Sequence, residues 1–253
     1  MLLCVADRLF APAPGAALDW LKGARVAHRG LHGQGVVENS PAAFEAAAAR
    51  GLAIECDVQL TADGEAVVFH DFTLERLTAE SGAVIERTAA ALSAIAYRDS
   101  AETIPTFAQF LAQVAGRVPL LIEVKSQEDW DWARLCAAVA RGLASYSGPA
   151  AVMSFDPRVG GWFAAHAPQV LRGLVATEEH SRGWLGDLAR HRALWRSRAQ
   201  FLAYDVRDLP SRFARGQRAR GLPVATWTVR DPALFPLASA EADALIAEGS
   251  IIA

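Results

Sequence analysis

Short apolar runs rich in β-branched residues recur along the chain, separated by alanine-rich stretches whose apolar positions repeat at helical spacing. That alternation predicts an α/β fold. The strand-like runs are Arg25 to His28, Ala53 to Val58, Leu120 to Lys125, Ala151 to Phe155, Leu171 to Ala176, Phe201 to Val206, Val224 to Val229 and Ala244 to Glu248. Eight such strands predict a (β/α)8 TIM-type barrel, and several end in a polar or aromatic residue, as barrel strands do at an active-site mouth. A doubly wound open sheet is the alternative arrangement of the same pattern. Ser40-Pro41 ahead of 42–50 and Gly51 behind it is start and stop punctuation for a helix, and 106–115 before Gly116 and 129–141 before Gly142 read the same way. No linker, low-complexity segment or tandem repeat interrupts the alternation, so residues 1–253 read as one domain. Residues 72–103 are polar and out of phase, which predicts a small insertion after the second strand, over the barrel mouth.

The stretch Ile54 to Asp71 concentrates chemistry. Two strand-like runs flank Asp63-Gly64, a dipeptide favoured in two-residue hairpin turns. That turn pairs Thr61 with Ala66 and Asp57 with His70, so that period-2 alternation puts Glu55, Asp57 and His70 on one face and turns Cys56 away into packing. On this segment alone, a surface ion-pair cluster is the competing reading. The strand ends Ala27-His28-Arg29-Gly30 and Ile122-Glu123-Val124-Lys125 add a second histidine, two cations and a third carboxylate at the same predicted rim. Glu55, Asp57 and Glu123 are hard oxygen donors suited to one divalent cation, Mg²⁺ or Ca²⁺ without preference, rather than zinc. Arg29 as a fork and Lys125 as a point charge suit phosphate oxygens, which leaves His28 and His70 for proton transfer. Lysine occurs only at Lys22 and Lys125 in an arginine-rich chain, so Lys125 at a strand end reads as a chosen residue; a plain ion pair with Glu123 is its structural alternative.

Composition narrows the classes. A hydrophobic fraction of 52% supports a large core, and a net charge of -3 without a basic run lacks the electrostatic footprint of a nucleic-acid partner. The 3 cysteines, Cys4, Cys56 and Cys136, are odd in number and form no CxxC pair, which fits a reducing, cytoplasmic setting. The apolar start is too short for a signal peptide and no window matches a transmembrane segment, although Leu2, Leu3, Val5, Leu9 and Phe10 are candidates to touch a membrane surface. No heptads bear on oligomeric state.

These residues resemble the glycerophosphodiester phosphodiesterase family. Ala27-His28-Arg29-Gly30, Glu38-Asn39-Ser40 leading into a helix with Phe44 and Ala47, Glu55-Cys56-Asp57-Val58, Thr61-Ala62-Asp63-Gly64, Val67-Val68-Phe69-His70-Asp71 and Glu123-Val124-Lys125 occur in order, with weaker echoes at 154–157, 227–229 and 242–246. The first 24 residues lie outside the likeness. The resemblance implies a barrel enzyme that hydrolyses a small-molecule glycerophosphodiester to glycerol 3-phosphate and an alcohol with a divalent cation. It implies His28 and His70 as the acid/base pair, Arg29 and Lys125 at the phosphate, and Glu55, Asp57 and Glu123 as metal ligands. It also implies attack by the glycerol 2-hydroxyl through a cyclic phosphate. Ser40 departs from the usual threonine, and Ala247-Glu248 from the usual Thr-Asp, while His32 is an extra loop histidine expected to face solvent.

Phe155 and Trp227 end predicted strands and suit an apolar wall against the glycerol carbons or the alcohol, with packing as the alternative. The other tryptophans read as helix-packing or surface residues, and His166, His180 and His191 as solvated. Two rival functions stand beside this one: a phosphodiesterase acting on lysophospholipids or other phosphodiesters, which uses the same residues, and a catalytically silent barrel that binds phosphorylated ligands or a protein partner.

Overall fold

The computed structural model of the chain describes residues 2–11, 13–127, 129–179 and 181–252; His180 and the side chains of Leu2 and Cys4 lie outside what is described. Along the chain run α1 (Leu2–Phe10), β1 (Arg25–Ala27), α2 (Pro41–Ala49), β2 (Ala53–Leu60), β3 (Ala66–Val68), α3 (Ala89–Ser93), α4 (Phe107–Val114), β4 (Leu120–Val124), α5 (Trp132–Leu143), β5 (Ala150–Ser154), α6 (Pro157–His166), β6 (Leu171–Ala176), α7 (Trp184–Ser197), β7 (Phe201–Asp205), α8 (Arg212–Ala219), β8 (Val224–Val229), α9 (Phe235–Glu241) and β9 (Ala244–Ala247). Leaving aside the hairpin strand β3, the strands are the eight expected ones. Two compact units form, residues 27–150 and residues 1–26 with 151–253.

In the unit 27–150, β2 pairs in parallel with β4 and antiparallel with β3. Ser40 caps α2 by accepting from the Ala43 amide, with Pro41 in the first turn, and Thr106 and Gln109 form a reciprocal capping box on α4. Gly142 does not end α5 as expected; the helix starts at Trp132 and runs through Gly142 to Leu143, where a Cβ on the glycine would meet Phe107 at 2.9 Å. Helix packing, not termination, accounts for that glycine. The segment 72–103 is less polar inside than its sequence suggests: Leu74, Val84, Leu92, Ile95 and Tyr97 close a satellite core with Val67 and Phe69 of the hairpin.

The hairpin register differs from the expectation by one residue. Val58 pairs with Val68 and Leu60 with Ala66, and the Thr61 amide donates to the Glu65 carbonyl, so the loop is 62–64 rather than the two residues Asp63-Gly64. Gly64 sits at φ +85, the left-handed position of a three-residue hairpin loop.

In the other unit, β5 to β9 pair in parallel in sequence order. Leu194, Phe213, Leu222 and Val224 pack around Tyr204. His191 is not solvated, as its sequence setting suggests; it is half-buried, with Nδ1 2.8 Å from Asp7 Oδ1 and its ring edge-on to Phe213. Cys56 and Cys136 are buried and form no disulfide. Among the described residues no helix is long and apolar enough to cross a membrane.

Candidate active site

β2 is buried along its whole length, and alternation on it sends Glu55 and Asp57 to one side. Parallel pairing then sets Glu123 of β4 directly beside Asp57. The three carboxylates each offer an oxygen within 4.8 Å of the others, and Glu55 and Asp57 are both 1% exposed.

The loop between β1 and α2 supplies the first cation. The Arg29 amide donates to Glu55 Oε2 at 2.9 Å, its Nη1 donates to Glu38 Oε1 at 2.7 Å, and its Nε lies 3.3 Å from Asp57 Oδ2. Arg29 and Asn39 both adopt left-handed φ, at 56 and 55, and the Asn39 amide donates to the Arg29 carbonyl. Such conformations cost about 1–3 kcal/mol each in non-glycine residues and concentrate at functional sites. Gly30 lets this loop lie on α2, because a Cβ there would stand 2.8 Å from Ala43. Asn39 Nδ2 donates to Asp57 Oδ2 at 2.9 Å, and the Tyr97 hydroxyl donates to the Asn39 carbonyl, so the 72–103 segment braces the loop.

Lys125, just past β4, brings Nζ within 3.2 Å of Glu123 Oε1 and 3.4 Å of Asp57 Oδ1, with the Phe72 ring 5.9 Å away. His28 Nε2 stands 3.9 Å from Glu55 Oε2. His70 joins the group for a reason other than strand alternation. β3 ends at Val68, and Gln59 Nε2 donates to the Phe69 and Asp71 carbonyls at 2.7 Å each, which holds the 69–71 segment against β2. His70 Nδ1 then lies 2.6 Å from Asp71 Oδ1.

Electrostatics divides the carboxylates. Burial, with Asp57 and Glu123 nearby, pushes Glu55 well above the usual carboxylate range. Burial also raises Glu123, and Asp57 adds to this against the opposing pull of Lys125. At Asp57 burial is outweighed by Lys125, His70, Arg29 and His28, which bring it down to about 2. One of the three is therefore held charged while two resist ionisation unless more positive charge arrives. Glu55 Oε1 is buried with no hydrogen-bond partner among the described residues. A buried carboxylate oxygen left this way is costly, and an all-oxygen donor set of this kind fits a hard divalent cation.

Seven expected residues, His28, Arg29, Glu55, Asp57, His70, Glu123 and Lys125, thus meet in the unit 27–150. Phe155 and Trp227 lie in the other unit and pack edge to face, ring centroids 5.4 Å apart, with Trp227 Nε1 donating to the Ala203 carbonyl. His32 is half-buried rather than solvent-facing.

Sequence reading assigned no role to Glu38, Asn39, Asp71 or Arg76, though the first three stand in its motifs. Arg76, from the 72–103 segment, binds Glu38 through both terminal nitrogens, at 3.1 and 2.7 Å, and also binds Asp71. One arginine therefore ties the carboxylate that holds Arg29 to the one that holds His70. Arg76→Ala is expected to lower kcat by about 10- to 100-fold, the usual effect of losing a partner that orients a working group, with a smaller change in KM. Steady-state kinetics on folded variant checks this, and unchanged kcat would remove the role.

Residues 28–249 match the model of the glycerophosphoryl diester phosphodiesterase family. The Bacillus subtilis (strain 168) protein YhdW, provisionally named a glycerophosphodiester phosphodiesterase, is 29% identical over 214 residues, 81% of this chain and 86% of that protein. A glycerophosphodiester phosphodiesterase of Caldanaerobacter subterraneus is 37% identical over 109 residues, 40% of this chain and 44% of the relative. Among solved structures, an Oleispira antarctica phosphodiesterase in complex with the product sn-glycerol-3-phosphate superposes with a TM-score of 0.78 at 25% identity, covering 91% of this chain and 94% of that one. The fold class is accordingly α/β, the (β/α)8 TIM-type barrel. With its match running from His28 to Gly249, the chain belongs to the glycerophosphoryl diester phosphodiesterase family, a family of phosphoric diester hydrolases.

Proposed function

We propose that this chain hydrolyses glycerophosphodiesters to glycerol 3-phosphate and an alcohol, with one divalent cation, Mg²⁺ or Ca²⁺, held by Glu55, Asp57 and Glu123. The observation that carries the reading is the three-carboxylate cluster with its unpartnered Glu55 oxygen, flanked by Arg29 and Lys125. The product bound to the Oleispira antarctica relative supports glycerol 3-phosphate as the phosphorylated half. The bound cation supplies Lewis-acid polarisation of the phosphoryl oxygens.

Arg29 and Lys125 hold phosphate oxygens, the first as a planar fork and the second as a point charge. Asp71 accepts the Nδ1 proton of His70, which fixes the tautomer and leaves Nε2 to exchange protons. His28 and His70 work as a pair. The neutral imidazole takes the proton of the glycerol 2-hydroxyl as its oxygen bonds to phosphorus, and the imidazolium gives a proton to the departing alcohol oxygen. Water then opens the cyclic phosphate with the two roles exchanged. Phe155 and Trp227 form an apolar wall for the alcohol or the glycerol carbons. Residues 1–253 act as one catalytic domain with 72–103 as its small insertion. Cys56 and Cys136, outside any disulfide, suit a cytoplasmic setting.

The test is release of glycerol 3-phosphate from glycerophosphocholine and glycerophosphoethanolamine, alongside an analogue lacking the 2-hydroxyl. Turnover of the diesters with the analogue slower by more than about 100-fold is expected, since the internal nucleophile brings a large effective concentration. Equal turnover of the analogue would defeat the cyclic route. No release by folded, cation-supplied protein would overturn the assignment.

A further inference from the structure

Helix α1 turns its carboxylate inward. Asp7 is 1% exposed; its Oδ1 accepts from His191 Nδ1 and Trp195 Nε1, both at 2.8 Å, and its Oδ2 accepts from Gln217 Nε2 at 2.9 Å. These donors from α7 and α8 fix the roll of α1, because a buried carboxylate without them is strongly unfavourable. Helical pitch then sends Val5 and Leu9, an i,i+4 pair, to the opposite side. They are 58% and 69% exposed, and Phe10, whose ring tilts onto Trp195 with centroids 5.9 Å apart, is 45% exposed. A surface helix ordinarily buries such residues and exposes its acid. Trp184 and Leu185, at the head of α7, are 74% and 63% exposed, and Trp184 falls on the helical stripe of His191 and Trp195 that faces α1.

Arginines crowd this apolar ridge, and the exposed acid on α7, Asp187, is bound by Arg190 at 2.6 Å. Arg8 on α1, Arg192 and Arg196 one turn apart on α7, and Arg212 at the start of α8 are exposed and make no ion pair among the described residues. Elsewhere exposed arginines are commonly matched, as Arg117 is with Glu45, Arg215 with Glu241 and Arg230 with Glu248. Arg8 and Arg212 line one cleft beside α1, and Arg198 Nη1 donates to the Phe10 carbonyl at the end of that helix. The patch is assembled from α1 and the sequence-distant α7 and α8. A two-fold contact with a second copy would bring these same unpaired arginines together, which disfavours that occupant.

We infer that α1 and the exposed side of α7 adjoining it form a docking surface for an anionic phospholipid membrane. Val5, Leu9, Phe10 and Trp184 enter the headgroup boundary and the arginines meet lipid phosphates, the combination that seats interfacial helices. The inference stands apart from the catalytic reading.

The test is flotation of the full chain with phosphatidylcholine vesicles made with and without phosphatidylglycerol. Wild type should float only with the anionic vesicles. Val5→Glu/Leu9→Glu should abolish flotation, and Arg192→Gln/Arg196→Gln should weaken partition by about fivefold per arginine, with the same melting temperature and the same turnover of water-soluble glycerophosphocholine. Absence of wild-type flotation overturns the inference. So does equal flotation by the arginine variant, or light scattering that shows Val5→Glu/Leu9→Glu converting a dimer to a monomer.

Discussion

Glu55→Gln is expected to stabilise the cation-free chain and to lower turnover by about 10²–10³-fold, the scale of losing a group that stabilises developing charge. The two effects share one cause. Burial and the neighbouring Asp57 and Glu123 hold the Glu55 pKa well above 4.5, its ordinary value, so ionising it in the fold costs free energy that the unfolded chain does not incur. A group raised in this way contributes stability that is complete below its ordinary pKa and is lost as pH rises through the folded value. The cation-free wild type should therefore lose stability as pH climbs above about 4.5, and the glutamine variant should lose less. The gain is expected to be about 0.5–2 kcal/mol near neutral pH, as when strain is removed from an active site. Asp57 acts with the opposite sign: its contribution is present above its ordinary value of 3.8 and fades as pH falls through about 2. With saturating cation the order should invert, wild type melting above Glu55→Gln, because the ion now offsets the buried charge. Thermal melts with chelator and with cation check this, and a variant that melts lower in both would contradict the electrostatic account.

His70→Ala is expected to lower kcat by about 10²–10⁴-fold, the range for a positioned general acid or base. The Asp71 contact makes a companion prediction possible. Asp71→Asn leaves the imidazole in place but no longer demands a proton on Nδ1, so its loss should be smaller than that of the alanine variant and in the same parameter. In the pH profile of kcat/KM one limb should vanish in His70→Ala and persist in Asp71→Asn. Two intact limbs in His70→Ala would assign proton transfer elsewhere.

The strands were legible because eight β-branched runs stand between helices with clear caps, and local chemistry such as Ser40-Pro41 acts where it is written. Glu55, Asp57 and Glu123 were legible because strand alternation and parallel pairing are periodic. The hairpin register was not, since Asp63-Gly64 serves a two-residue turn and a three-residue loop equally well. The choice lies in distant contacts: Ala62 donates to the Arg87 carbonyl, and Ala89 donates to Asp63. His70 reached the site through a side chain, Gln59, that no pattern announces. Arg76 escaped because a residue that bridges Glu38 and Asp71 obeys neither helical nor strand period. His191 escaped for a similar reason, its partner Asp7 being near the other end of the chain.

The measurement that tests the central claim most directly is calorimetric titration of Mg²⁺ and of Ca²⁺ into metal-stripped protein, with glycerol 3-phosphate release followed on the same samples. One cation per chain, binding lost in folded Glu55→Ala, and turnover that rises in step with occupancy is the predicted result. Full turnover by wild type kept metal-free in chelator would contradict it.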